Sequence, residues 1–163
     1  MKELLVVFHS RTGGARQMAE AARHGASREH GVRVRLLHAD AAQADDVLSA
    51  DGYLFVAPEN LAAMAGAMKE FFDRNYYAVL DRINGRPYAI LVCAGSDGAN
   101  AVRQIERICT GWRLKAVAEP IIVCTHAQTP EKILAPKTIS PEDVHRCEEA
   151  GEGMAAGLAV GVF

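Results

Sequence analysis

No two cysteines stand at Cys-x-x-Cys spacing in these 163 residues, where Cys93, Cys109, Cys124 and Cys147 are widely scattered. That argues against a zinc ribbon and a dithiol redox centre, and buried free thiols are the expected state. No long block of one charge is present either. With 18 basic and 20 acidic side chains the formal net charge is −2, so a broad surface tracking nucleic-acid phosphates is not expected. Long hydrophobic runs are also missing. The amino-terminal run Leu4 to Phe8 is shorter than a signal-peptide core, and the apolar tail Gly153 to Phe163 falls below the roughly 20 residues a membrane helix needs. The expectation is a soluble, cytoplasmic protein with no membrane span. His9, His38 and His126 fall near strand ends, but no two histidines have tight ligand spacing. Structural or solvent-facing roles, and no metal, are expected for them, with proton delivery to an acceptor or contact with a partner as the alternative for one of the three.

What is present is an ordinary globular composition, 50% hydrophobic and 23% charged, enough for one domain with a sizeable core. Lys2 to His9 reads as a strand, Ser10 to Gly14 as a tight loop, and Met18, Ala19, Ala22 and Ala26 as the inner stripe of a helix. Val32 to Leu37 and the alanine-rich Ala41 to Ala50 repeat that unit. A third strand, Tyr53 to Val56, is expected to stop before Pro58, with Met64, Met68, Phe71 and Phe72 as the core face of the helix after it. Pro87 to Cys93 gives a fourth strand, followed by a helix with Ala101, Ile105, Ile108 and Cys109 inward and Gly111 as its stop. Val117 to Thr125 reads as a fifth strand. Ser140-Pro141-Glu142-Asp143 opens a last helix with an N-cap serine, a first-turn proline and two acids. The stretch 126–139 is long for a connection and reads either as a lid or partner-binding arm or as an inert surface crossover.

Five strands alternating with five helices predict an α/β fold, a doubly wound sandwich with a five-stranded parallel sheet and helices on both faces, spanning residues 1–163. Ligands in such sheets bind beyond the carboxyl ends of the strands, which directs attention to the loops after the first, third and fourth. Ser10, Arg11, Thr12, Gly13, Gly14 and Ala15 lie between a strand and a helix, where hydroxyls and backbone N–H groups can surround a phosphate. The loop has neither the Gly-x-x-x-x-Gly-Lys-Ser/Thr nor the Gly-x-Gly-x-x-Gly pattern, so a nucleoside triphosphatase and a Rossmann site lose support. After Cys93, Ala99 stands where a phosphotyrosine phosphatase needs arginine.

Ser10, Thr12 and Gly13 resemble the Ser/Thr-x-Thr-Gly-x-Thr loop with which the flavodoxin-like superfamily holds the phosphate of FMN. Ala15 departs from the last hydroxyl position, and Arg11 and Arg16 add cations to the segment. Pro58-Glu59-Asn60, followed by Gly66, Lys69 and Asp73, is similar to the Pro-Glu-Tyr…Gly-x-x-Lys…Asp segment of NAD(P)H-dependent FMN and quinone reductases, with Asn60 in place of tyrosine. The resemblance implies that Pro58, Glu59, Asn60 and Leu61 lie along the isoalloxazine, and that Cys93, Ala94 and Gly95 close over its pyrimidine side. Lys69 and Asp73 also read as a surface ion pair at i, i+4. No aromatic stands between Cys93 and Asn100, which leaves a flavin face open. The resemblance therefore implies an FMN-dependent enzyme taking electrons from NADH or NADPH to a quinone, free flavin or other small-molecule acceptor, with Asn60 the candidate catalytic residue. The alternatives are a flavodoxin-type electron carrier between protein partners, and an interaction domain that has lost its flavin. A homo-oligomer is also expected, with the tail Leu158 to Phe163 supplying either contact between subunits or a cap on its own core.

Overall fold

The computed structural model describes all of residues 1–163. Lys2–Phe8 forms β1, Gly14–Ala26 α1, Val32–His38 β2, Ala44–Ser49 α2 and Gly52–Asn60 β3. β4 (Ala63–Met64) turns back on β3 before α3 (Gly66–Val79), β5 (Pro87–Ala94) and α4 (Ala99–Gly111). The chain ends with β6 (Lys115–Ala116), β7 (Ile121–Cys124), α5 (Pro130–Leu134) and α6 (Pro141–Val160). Parallel strands run in the order β2-β1-β3-β5, and both β6 and β7 pair along the far edge of β5. The expected flavodoxin-like α/β sandwich is present, with its switch point between β1 and β3.

Two cores explain why β1, β3 and β5 read as nearly unbroken apolar runs. Leu5, Val7, Phe55 and Ile90 pack on one side of the sheet with α3 residues Met68, Phe71 and Phe72, as their helical spacing predicts. Leu4, Val6, Leu54 and Leu91 pack on the other with α1 and α6. Strands buried on both faces have no solvent side to alternate with.

Two expectations need correction. The fifth strand is two short pieces, because the register along β5 slips by two residues between Tyr88↔Ala116 and Leu91↔Ile121, and Pro120 in that gap has no N–H to add to the ladder. β3 runs through Pro58 rather than stopping before it. The Val56 carbonyl accepts from His9 N–H at 3.0 Å, so Val56 and, two residues on, Pro58 turn their backbone polar groups toward β1. β1 has already ended there, and the missing proline N–H leaves no acceptor unpaired. Of the two roles expected for the tail, the cap on its own core is the one seen: Phe163 packs on Gly157 and against the α1/α6 core, with Leu158 buried, while Val160 and Val162 stay exposed.

At the opposite end of β1, the buried Glu3 carboxylate accepts from Arg33 Nε (2.8 Å), Arg35 Nη1 (3.1 Å) and Ser49 Oγ (3.1 Å). Burial alone pushes this carboxyl up, but the bonds from Arg33, Arg35 and Ser49 outweigh it and hold the group below its ordinary value. A lowered value in the folded chain means stabilisation present above the unfolded glutamate value, about pH 4.3, and lost as pH falls through the folded one. The urea midpoint is therefore expected to drop on acidification below about pH 4.3, and Glu3→Gln to flatten that drop. Equal acid sensitivity in the two proteins would remove Glu3 from the explanation.

Candidate functional site

β1 delivers the chain to the loop at Ser10. The Ser10 hydroxyl accepts from Gly13 N–H at 3.1 Å, closing a turn in which Gly13 takes φ +104° as the N-cap of α1, a left-handed conformation that favours glycine. No side chain caps α1 and no acid lies in its first turn. Its opening N–H groups thus carry an uncompensated positive helix end. α4 differs, because the Glu59 carboxylate accepts from Gly98 N–H (2.9 Å) and Ala101 N–H (3.3 Å).

The third-strand loop is a β-hairpin. Glu59 pairs with Met64 and Asn60 with Ala63, which leaves Leu61 and Ala62 as the two-residue turn, at φ 51° and 61°. Both lack the glycine or asparagine such a turn favours, at about 1–2 kcal/mol each. Neighbours on α4 hold it: Asn100 Nδ2 donates to Ala62 O (2.6 Å), and Met64 N–H to Gln104 Oε1 (2.7 Å). None of these bonds uses the Asn60 side-chain amide, and Leu61 projects fully exposed.

Two adjoining cavities, of about 540 Å³ and 70 Å³, lie between this hairpin, the β5 loop and the 126–139 arm. Arg11, Thr12, Pro58, Glu59, Asn60, Leu61, Cys93, Ala94 and Gly95 line them. Ser10, Gly13, Gly14 and Ala15 form the turn itself; Gly14 and Ala15 are buried, and an added Cβ on Gly14 would meet Cys93 Sγ at 2.5 Å. The larger cavity is within the range of small-ligand sites, about 300–1,000 Å³. No aromatic side chain lines either.

The cation beside the loop is one that a local reading of the sequence misses. Arg16 stacks on Phe8, its guanidinium carbon 5.6 Å from the ring centroid, and Arg11 lies exposed at the rim. Lys137, from the 126–139 arm, instead places its Nζ 3.4 Å from Thr12 Oγ1, while its N–H donates to Thr12 O at 2.7 Å. Gln17 fixes the arm: its Nε2 donates to Gly13 O and Lys137 O (2.9 and 2.7 Å), and its Oε1 accepts from Ile139 N–H (3.1 Å). A hydroxyl, open backbone N–H groups and an ammonium at a positive helix end suit a phosphate, so the residues present fit FMN.

Other titratable groups lie nearby. Burial pushes the Cys93 thiol up to about 11, keeping it protonated near neutrality, and all four cysteines are free. His9 packs edge-to-face on His38 with centroids 5.3 Å apart, and its buried Nδ1 has no partner. Burial, with help from His38 and Arg11, lowers its affinity for a proton against the opposing pull of Asp40. Lys69 and Asp73 pair at 2.5 Å on the exposed face of α3. No cluster of metal-ligating side chains is present, and no helix is long and apolar enough to cross a membrane.

Comparison with known proteins agrees with this geometry. A flavodoxin of Aquifex aeolicus is 38% identical over 59% of this chain and 50% of its own. An NAD(P)H dehydrogenase (quinone) of Acidithiobacillus ferrooxidans is 33% identical over 45% of this chain and 47% of its own. The chain thus spans about half the length of the curated relatives it matches. Among solved structures, a flavodoxin from the domain Archaea superposes with a TM-score of 0.77 at 18% identity, covering 96% of this chain and 98% of that one, a likeness of fold. The family model of the NADPH-dependent FMN reductases matches residues 38–129, more than half of the sequence and including both the 58–61 hairpin and the 93–95 loop, and the chain belongs to that family.

Proposed function

We propose that this protein binds FMN and passes a hydride from NADH or NADPH through it to a quinone, free flavin or other small acceptor. The observation that carries this reading is the aromatic-free cavity opening between the 58–61 hairpin and the 95–96 loop. Ser10, Thr12 and the N–H groups of Gly14 and Ala15 hold the phosphate, in the turn that Gly13 makes possible. Pro58, Asn60, Leu61, Ala94 and Gly95 bound the ring system, and Glu59 sets the hairpin by capping α4. Bound FMN supplies the hydride-accepting ring, and no aromatic side chain of this subunit occupies the place a nicotinamide needs. Catalysis then rests on placing two rings in contact rather than on a titrating side chain. The family match and a quinone dehydrogenase relative support this reading. The flavodoxin relative keeps an electron carrier as the second reading. We also take the enzyme to work in the cytoplasm as a homo-oligomer, in which exposed Val160 and Val162 are available for contact.

The test is steady-state oxidation of NADH and NADPH by FMN-loaded protein with quinone and free flavin as acceptors. Asn60→Ala is expected to lower kcat about tenfold, within the cost of a lost polar contact in a transition state, while FMN affinity changes less than about twofold, because the phosphate anchor is separate. Full turnover with both acceptors in that variant removes Asn60 from the active face. Absence of nicotinamide oxidation in the unmodified protein favours the carrier.

A further inference from the structure

We infer that Lys137 is the cation that binds the cofactor phosphate, brought to the loop at Ser10–Ala15 by the 126–139 arm. This rests on the FMN reading above and adds a residue outside the matched phosphate-loop motif.

The ammonium meets three oxygens: Thr12 Oγ1 at 3.4 Å, Ile133 O at 2.8 Å and Ala135 O at 2.5 Å. All three are neutral, and Lys137 is absent from the ion pairs of the chain, which engage other lysines, arginines and histidines. Carbonyls satisfy its N–H groups without neutralising its charge. The longest and weakest of the three contacts is the one to the phosphate loop, so an anion oxygen there replaces the least favourable bond with a charge-assisted one. Lys137 and Thr12 line the same small cavity. The backbone is already in place, since Thr12 O and Gln17 tie residues 137–139 to the start of α1. The loop offers no other cation in that place: Ala15 has no polar side chain, Arg16 is stacked on Phe8 and Arg11 lies at the rim.

The competing role is purely structural, because Ile133 O and Ala135 O lie at the carboxyl end of α5 and Lys137 caps them. Riboflavin separates the two roles, since it has the same ring system without the phosphate. Dissociation constants for FMN and riboflavin are measured by flavin fluorescence on the unmodified chain, Lys137→Met and Lys137→Arg. The expected result is FMN weakened about tenfold or more in Lys137→Met, from loss of one charge-assisted bond, riboflavin changed less than about twofold, and most FMN affinity regained in Lys137→Arg. Equal weakening of both ligands assigns Lys137 to capping alone and overturns the inference, as does unchanged FMN affinity. If the unmodified chain binds neither flavin, the FMN reading itself falls, a result distinct from either of those.

Discussion

Gly13→Val is expected to weaken FMN binding about a hundredfold while the sheet stays folded. Gly13 sits at φ +104° and ψ −15°, where a β-branched residue is a steric outlier. Two things then fail together. The turn closed by Ser10 Oγ and Gly13 N–H must rearrange, and the valine methyls, on a Cβ 3.6 Å from both Gln17 Nε2 and Lys137 O, crowd the bond that ties the 126–139 arm to this turn. Loss of two charge-assisted bonds corresponds to about a hundredfold in affinity. The stability cost is smaller, about 1–2 kcal/mol for the backbone conformation, because the buried strands lie elsewhere. Riboflavin affinity measured beside FMN checks the assignment. Undiminished FMN affinity in a folded Gly13→Val protein means that the phosphate is held somewhere else.

The largest stability effect is expected where α1 meets α6. A Cβ on Gly151 would lie 1.8 Å from Ala22 O, and one on Gly25 would lie 2.0 Å from Glu148 O. The obstacle in each case is backbone, so the two helices approach at a distance only glycine permits. Gly151→Ala must separate them and is expected to cost about 3 kcal/mol, lowering Tm by about 6–12 °C for a chain of this size. Gly153, two residues on in the same helix, has open space around it, with nothing within 4 Å of an added Cβ. Gly153→Ala is therefore expected to stabilise by up to about 1 kcal/mol through helix propensity. Calorimetry on both variants compares opposite signs within one helix. A harmless Gly151→Ala contradicts the close approach, and with it the packing that seats the carboxyl-terminal half of α1 on α6.

These two effects differ in how far the sequence foretells them. The strand-turn-helix at Ser10, Thr12 and Gly13, proposed above to hold the phosphate, is legible because its parts are contiguous. β1, β3 and β5 are legible because burial on both faces leaves continuous apolar runs. Gly151 reads only as one member of a helical stripe, since its obstacle lies in another helix. Lys137 is hidden for the same reason, at 125 residues from Thr12; the only signal is a connection too long to be a simple crossover. Arg11 and Arg16 stand out through proximity in sequence, yet one lies at the rim and the other on Phe8. The hairpin at Leu61–Ala62 has no glycine or asparagine to announce it, because contacts from α4 supply what turn chemistry does not. Glu59 is legible as a motif residue, but the turn of its carboxylate toward the start of α4 is not, because Gly98 and Ala101 lie about 40 residues away in the chain.

The most direct test of hydride transfer through FMN is anaerobic mixing of FMN-loaded protein with NADH and, separately, NADPH, followed by the visible flavin absorption. Complete bleaching by at least one nicotinamide is expected, without any added protein partner, and the colour is expected to recover when a quinone is then supplied. A flavin that stays oxidised against both nicotinamides, yet accepts electrons one at a time from a one-electron donor, would contradict the reductase reading and mark the protein as a carrier.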